Sequence, residues 1–251
     1  MLISNVRADS FDLCHWHSDP LLTAWIAGHL SRYGDTICDI GAGTGSMAAD
    51  LANRFHEVIL IEPSPPMLRR LKENVARMNS TTITVQEGEA ESLPLGDASV
   101  DIALAKSSLH HFNNPIGAFT EMRRVARNAI GVVEVVLPHL GCPKCAECRN
   151  FTRKVLRSKE SGRSEYTVFS ETDLRGFLSP FAQEIYLLYF DQYIDIETWL
   201  TNSDLDAQRR KELYDFIAGQ VGTIKEHMHI QFCRGRLMQL RHLALAIGVI
   251  K

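Results

Sequence analysis

The run Asp39-Ile40-Gly41-Ala42-Gly43-Thr44-Gly45 follows an apolar segment directly and leads straight into a helical pattern. Glycines at alternate positions permit a tight turn and let a ligand approach the backbone, while a helix N-terminus behind them supplies free N–H donors. Glu62 closes the next apolar run, 21 residues after Gly41, where a carboxylate can accept both hydroxyls of a ribose. A nucleoside-bearing ligand at the carboxyl ends of parallel strands follows. The spacing is Gly-x-Gly-x-Gly, not the Gly-x-Gly-x-x-Gly of dinucleotide sites. An acid at position 39 would repel a pyrophosphate and would suit a cationic amino group.

Two further groups of side chains carry chemistry. His110 and His111 lie just past the fourth apolar run, at the ligand end of the implied sheet, where a neutral imidazole can accept a proton near physiological pH. Packing against the following helix explains the pair equally well. His139, Cys142, Cys145 and Cys148 recur every three residues in PHLGCPKCAECRNF. Cys-x-x-Cys steps bring sulfurs onto one cation, so the cluster reads as a zinc site, an iron–sulfur site or a thiolate site for a soft metal or metalloid. Small buried thiols on one helix face are the equal alternative. Ahead of an apolar helix, His15 and His17 are candidates for lining an acceptor pocket.

These groups need a scaffold. Residues 36–40, 58–61, 82–86, 100–105 and 130–137 read as strands whose continuous apolar character suits a parallel sheet covered on both faces. Helical patterns alternate with them: residues 46–55, a helix from Ser64 with Leu68, Leu71, Val75 and Met78 inward, and one from Asn114 with Ile116, Phe119 and Met122 inward. That alternation means right-handed βαβ units in a doubly wound sheet. Later, Ser170 and Asp173 suggest a capping box, and residues 183–190 and 241–250 read as strands.

The 251 residues suffice for a sizeable core, and 27 basic against 30 acidic residues give a formal charge of -3. That charge gives no bulk attraction to nucleic acid or to an anionic membrane. No apolar run approaches the roughly 20 residues that span a bilayer, and no secretory signal is visible, so a cytoplasmic protein is expected.

The segments ICDIGAGTGSMAADLA, LIEPSPPML and GEAESLPLGDASVDIALAKSSLHHF together resemble the class I S-adenosylmethionine (SAM)-dependent methyltransferases. Within these the chain is similar to the methyltransferase-domain group that includes the ubiquinone/menaquinone C-methyltransferases. The resemblance implies an α/β, Rossmann-like sheet of seven strands, the last antiparallel, with helices on both faces. It implies one domain over 1–251, with lid helices in 1–34, a SAM-binding core in 35–137, a variable substrate region in 138–240 and a final strand in 241–251. Gly41, Gly43 and Gly45 would cradle the methionine part of SAM, with Asp39 near its amino group and Lys106 over that end. Glu62 would hold the ribose, Met67 would pack on the adenine, and Glu89 with Ala90 would reach the adenine edge. The expected activity is methyl transfer to a small-molecule acceptor. A metal- or metalloid-sensing protein that retains a SAM-binding fold is the alternative.

Overall fold

In the computed structural model, residues 19–136, 147–148, 150–155, 169–201, 203 and 205–250 are described. They form α1 (Pro20–Leu30), β1 (Thr36–Ile40), α2 (Ala48–Ala52), β2 (Glu57–Ile61), α3 (Pro65–Met78), β3 (Ile83–Gln86), β4 (Val100–Lys106), α4 (Pro115–Val125) and β5 (Ala126–Val135). After these come α5 (Glu171–Leu178), β6 (Glu184–Asp195), α6 (Ile196–Thr201), α7 (Ala207–Ala218), α8 (Gly222–His227), β7 (Gln231–Cys233) and β8 (Arg236–Val249).

One sheet runs β3-β2-β1-β4-β5-β8-β6, with β7 paired to β8 off that path. Strands β1 to β5 are mutually parallel, and β8 runs antiparallel to both β5 and β6. The expected seven-stranded order with an antiparallel last strand is therefore present, plus a short hairpin strand. Alternate side chains of the central strands feed two cores. Ile37, Leu104 and Val133 face α1, α2 and α3, whereas Ile40, Ala103 and Val132 face α4 and α5. Helices thus cover both faces, which is why these strands read as unbroken apolar runs.

Local chemistry explains most element ends. Asn114 accepts the Gly117 N–H ahead of α4, with Pro115 at its first position, and Ser170 and Asp173 close a reciprocal capping box on α5. Several expectations need correction. Ser64 precedes α3, but its hydroxyl makes no capping hydrogen bond. Met78 and Ile116 are exposed, because the buried stripes stop at Leu71 and turn to Ala118, Phe119 and Met122. The segment expected to be helical over 46–55 is a regular helix only in Ala48–Ala52, although Met47, Leu51 and Phe55 are buried as their spacing implies.

The largest difference lies at the last strand. β8 starts at Arg236, five residues before the expected 241, and only its part from Leu243 onward pairs with β5. Met238–His242 instead pairs with Asp191–Asp195 of β6, beyond the carboxyl end of β5. Charged residues at 191, 195, 236 and 241 masked this extension in the sequence. It carries a third apolar cluster, built from Cys148, Phe151, Ile194, Trp199, Ile217 and Leu237 among others. Gln192 Nε2 donates to Asp19 Oδ2 over 3.1 Å, tying the start of α1 to the same extension. No helix among the described residues is long and apolar enough to cross a membrane.

Phe119 is fully buried and stacks on Phe177 with ring centroids 5.1 Å apart. Phe119→Ala is expected to lower unfolding free energy by about 3–5 kcal/mol. Urea denaturation checks this; a loss below about 1 kcal/mol would contradict the packing described.

Candidate active site

Strand order reverses between β1 and β4, since β2 and β3 lie to one side and β4 and β5 to the other. The crevice at the carboxyl ends of β1 and β4 is where open α/β sheets bind ligands. The glycine loop leaves β1 there. Gly41, Gly43 and Gly45 have φ of 73°, 61° and 91°, the left-handed region that glycine enters without cost. Gly41 is required for a second reason. A Cβ there would stand 2.6 Å from Ser108 Cβ, and Ser108 must approach because its hydroxyl donates to the Ile40 carbonyl over 2.9 Å. That bond ties the end of β4 to the end of β1.

Glu62 is buried at the end of β2, and its two oxygens are shared between two loops. Oε2 accepts the Gly43 N–H at 2.8 Å, and Oε1 accepts the Ser64 N–H at 2.9 Å. Burial raises its pKa, opposed by those two N–H donors. A carboxylate offers about four lone-pair positions, so each oxygen retains capacity for a ligand hydroxyl. Beside it, Ser64 Oγ is buried with no hydrogen-bond partner among the described residues. Native structures rarely leave such a group unsatisfied without cause. Met67 is buried one turn into α3, and Ala90 is buried in the loop after β3. Glu89 is exposed on that loop. Positive-φ glycines, a carboxylate with spare acceptor capacity and an orphaned hydroxyl fit an adenosine-bearing cofactor.

Asp39 and Lys106 form the floor. Both are buried, on the sheet face that carries Ile37 and Leu104. Burial pushes the Asp39 carboxyl up to about 7, against the pull of Lys106 and with Glu62 pushing the same way. Burial lowers the Lys106 ammonium, while Asp39 and Glu134 oppose that shift. Desolvation of the two groups therefore exceeds their attraction. Lys106 Nζ also donates to Ser46 Oγ at 3.4 Å.

The turn Leu109–His111 follows β4 after Ser107, a non-glycine residue at φ 52°. Such backbone strain concentrates at functional sites. His110 Nδ1 lies 3.1 Å from both carboxylate oxygens of Glu134, a buried residue of β5. The two histidine rings are 4.1 Å apart. Glu91 Oε1 accepts the N–H groups of Asn113 and Asn114 at 2.8 and 2.9 Å, joining the loop of Glu89 and Ala90 to the loop of the histidines.

Asp39, the three glycines, Glu62, Met67, Ala90, Lys106 and the two histidines thus gather at one end of the sheet. Reading the sequence missed Ser64 as an unsatisfied hydroxyl, Ser108, Glu91 and Glu134. Only Glu134 left a signal, as the lone acid in the apolar run IGVVEVVL. Of the expected metal ligands, His139, Cys142 and Cys145 lie outside the described residues, as do His15 and His17. Cys148 is buried in the apolar cluster with Phe151 and Val155, the environment of a small hydrophobe. No group of three or more potential metal ligands occurs among the described residues.

Residues 38–129 match the family model described as "Methyltransferase domain". An uncharacterized methyltransferase of Mycobacterium tuberculosis is 36% identical over 91 residues, 36% of this chain and 35% of that protein. A malonyl-[acyl-carrier protein] O-methyltransferase of Geobacter sulfurreducens is 33% identical over 91 residues, 36% of this chain and 33% of that protein. The chain spans about a third of the length of these curated relatives. Among solved structures, the YcgJ protein of Bacillus subtilis superimposes with a TM-score of 0.74 at 19% identity, covering 90% of this chain and 98% of that one. A putative methyltransferase of Bacillus halodurans gives a TM-score of 0.76 at 18% identity, covering 90% and 97%. Residues 38–129 thus match a methyltransferase-domain model, and the chain shares the Rossmann-like fold of these two solved structures.

Asp39 generates a prediction with a definite sign. Its folded pKa of about 7 exceeds the unfolded 3.8, so the folded state holds a proton that the unfolded chain has released. Stability therefore falls as pH rises from about 4 to about 7, and this contribution is flat above and below that window. Asp39→Asn should remove much of the fall in urea denaturation across that window. An equally steep fall in the variant would contradict the assignment.

Proposed function

We propose that the chain is a SAM-dependent methyltransferase acting on a small-molecule acceptor. The single observation that carries this reading is the Glu62 carboxylate held between the Gly43 and Ser64 N–H groups, with lone pairs to spare and the unsatisfied Ser64 hydroxyl beside it. That arrangement suits a ribose flanked by a base. Asp39 at the loop's start supplies a buried negative charge for a cationic amino group, and Lys106 supplies a positive one for a carboxylate. Both charges of an amino acid moiety are met on one side of the crevice.

SAM supplies an activated methyl group on a sulfonium. What remains for the protein is to align acceptor and donor and to exclude bulk water. The glycine loop and Glu62 fix the donor. The extension of β6 and β8 beyond the carboxyl end of β5, with its apolar cluster, is the candidate wall of the acceptor side. A formal charge of -3 favours a small molecule over a polyanionic nucleic acid.

Calorimetric titration of S-adenosylhomocysteine tests the reading. Saturable binding by the wild type is expected, with at least a tenfold weaker Kd in a Gly43→Asp variant whose circular dichroism matches the wild type. The introduced carboxylate would face Glu62 and displace the loop that Gly43 N–H anchors. A folded wild type that binds no S-adenosylhomocysteine would overturn the proposal.

A further inference from the structure

His110 and Glu134 are assembled more tightly than packing requires. Glu134 stands in β5 between Val132 and Val136 on the face buried under α4 and α5. A carboxylate there is costly to desolvate unless it is paired, and a valine would fill the same position without that cost. The carboxylate is spent on one residue twice over. It takes the His110 backbone N–H at 3.4 Å, and both its oxygens meet His110 Nδ1 at 3.1 Å. The side chains are 14% and 4% exposed, so solvent competes little for the contact.

An ionised carboxylate only accepts hydrogen bonds, so Nδ1 must carry the proton in the neutral ring. That leaves Nε2 without a proton in the neutral ring, the form that acts as a base. The same carboxylate stabilises the ring once Nε2 has taken a proton. Lys106 is attracted by both buried carboxylates, Asp39 and Glu134.

We propose that Glu134 is a positioning residue that fixes His110 as the general base for methyl transfer, and that the acceptor is therefore protic, a hydroxyl or a carbonyl-activated C–H. The inference rests on the methyltransferase reading above. In the step, the acceptor's proton passes to His110 Nε2 and the freed electron pair attacks the methyl carbon. The methyl–sulfur bond breaks with its pair on sulfur, so the sulfonium becomes a neutral thioether. The imidazolium then returns its proton to water. An acceptor that is already deprotonated, such as a thiolate, would have no use for this dyad.

The test is long-range 1H–15N NMR of 15N-histidine-labelled protein, with and without S-adenosylhomocysteine, in wild type, Glu134→Gln and Glu134→Ala. Binding of S-adenosylhomocysteine is measured on the same samples. His110→Gln assigns the resonances. In wild type at a pH where the ring is neutral, His110 should show a protonated Nδ1 and a bare Nε2. Glu134→Ala should shift the ring toward the Nε2-protonated tautomer, and Glu134→Gln, which keeps an acceptor oxygen, should lie between. A merely structural glutamate would leave the tautomer unmoved. Wild-type His110 protonated at Nε2, or a tautomer indifferent to Glu134, would overturn the proposal while intact S-adenosylhomocysteine binding left the methyltransferase reading standing. Absence of that binding in folded wild type would instead overturn the underlying reading. Transfer of labelled methyl from SAM to catechol, acetylacetone and 2-mercaptoethanol supplies the second arm. Any labelled catechol or acetylacetone should be lost about 100-fold or more in kcat in His110→Gln. Undiminished labelling in that variant would overturn the base assignment.

Discussion

A single carboxylate holds the two halves of the cofactor crevice in register. Glu62 accepts from Gly43 on the loop after β1 and from Ser64 on the loop after β2, so neither loop can move without breaking a charge-assisted bond in a buried setting. Those bonds are what make a glycine-rich, positive-φ loop a fixed surface. Removing them would leave the most conformationally permissive segment of the site without an anchor. The Ser108 bond to the Ile40 carbonyl performs the corresponding task on the other side, fastening β4 to β1 across the point where strand order reverses.

The anchoring has an electrostatic consequence. Asp39, Glu62, Lys106 and Glu134 are all buried at one end of the sheet, three acids and one base. A stable core would not choose that balance, and the raised Asp39 carboxyl records the strain. Under the proposed function, a ligand bearing a sulfonium and an ammonium would relieve it, so that the site trades stability of the empty fold for affinity. Binding and stability at this end of the sheet are therefore opposed.

The parallel core was legible because its signals are local and periodic. Apolar runs such as VILI and VDIALA, the glycine loop and the Asn114 and Ser170 caps each report their own geometry. Loss of legibility begins where the environment is set by distant residues. Ser64 looks like an ordinary cap in the sequence, yet Glu62 takes its N–H and its hydroxyl is left over. Ile116 and Met78 match a helical stripe, but α4 turns to bury Ala118 and the buried stripe of α3, as expected at Leu68 and Leu71, stops before Met78. The β6–β8 extension was hidden because polar residues alternate along strands that stand clear of the central sheet. Pairing of His110 with Glu134 joins the turn after β4 to β5 across 24 residues, which no local pattern announces. The cysteine cluster was legible as a motif, and its one described member, Cys148, lies in an apolar environment.

A crystal structure of the chain with S-adenosylhomocysteine measures directly where the cofactor sits. The ribose hydroxyls should meet Glu62, the adenine should lie against Met67 and Ala90 near the Ser64 hydroxyl, and the amino acid moiety should lie between Asp39 and Lys106. A nucleoside bound away from Glu62, or one whose amino acid end points away from Asp39, would contradict it.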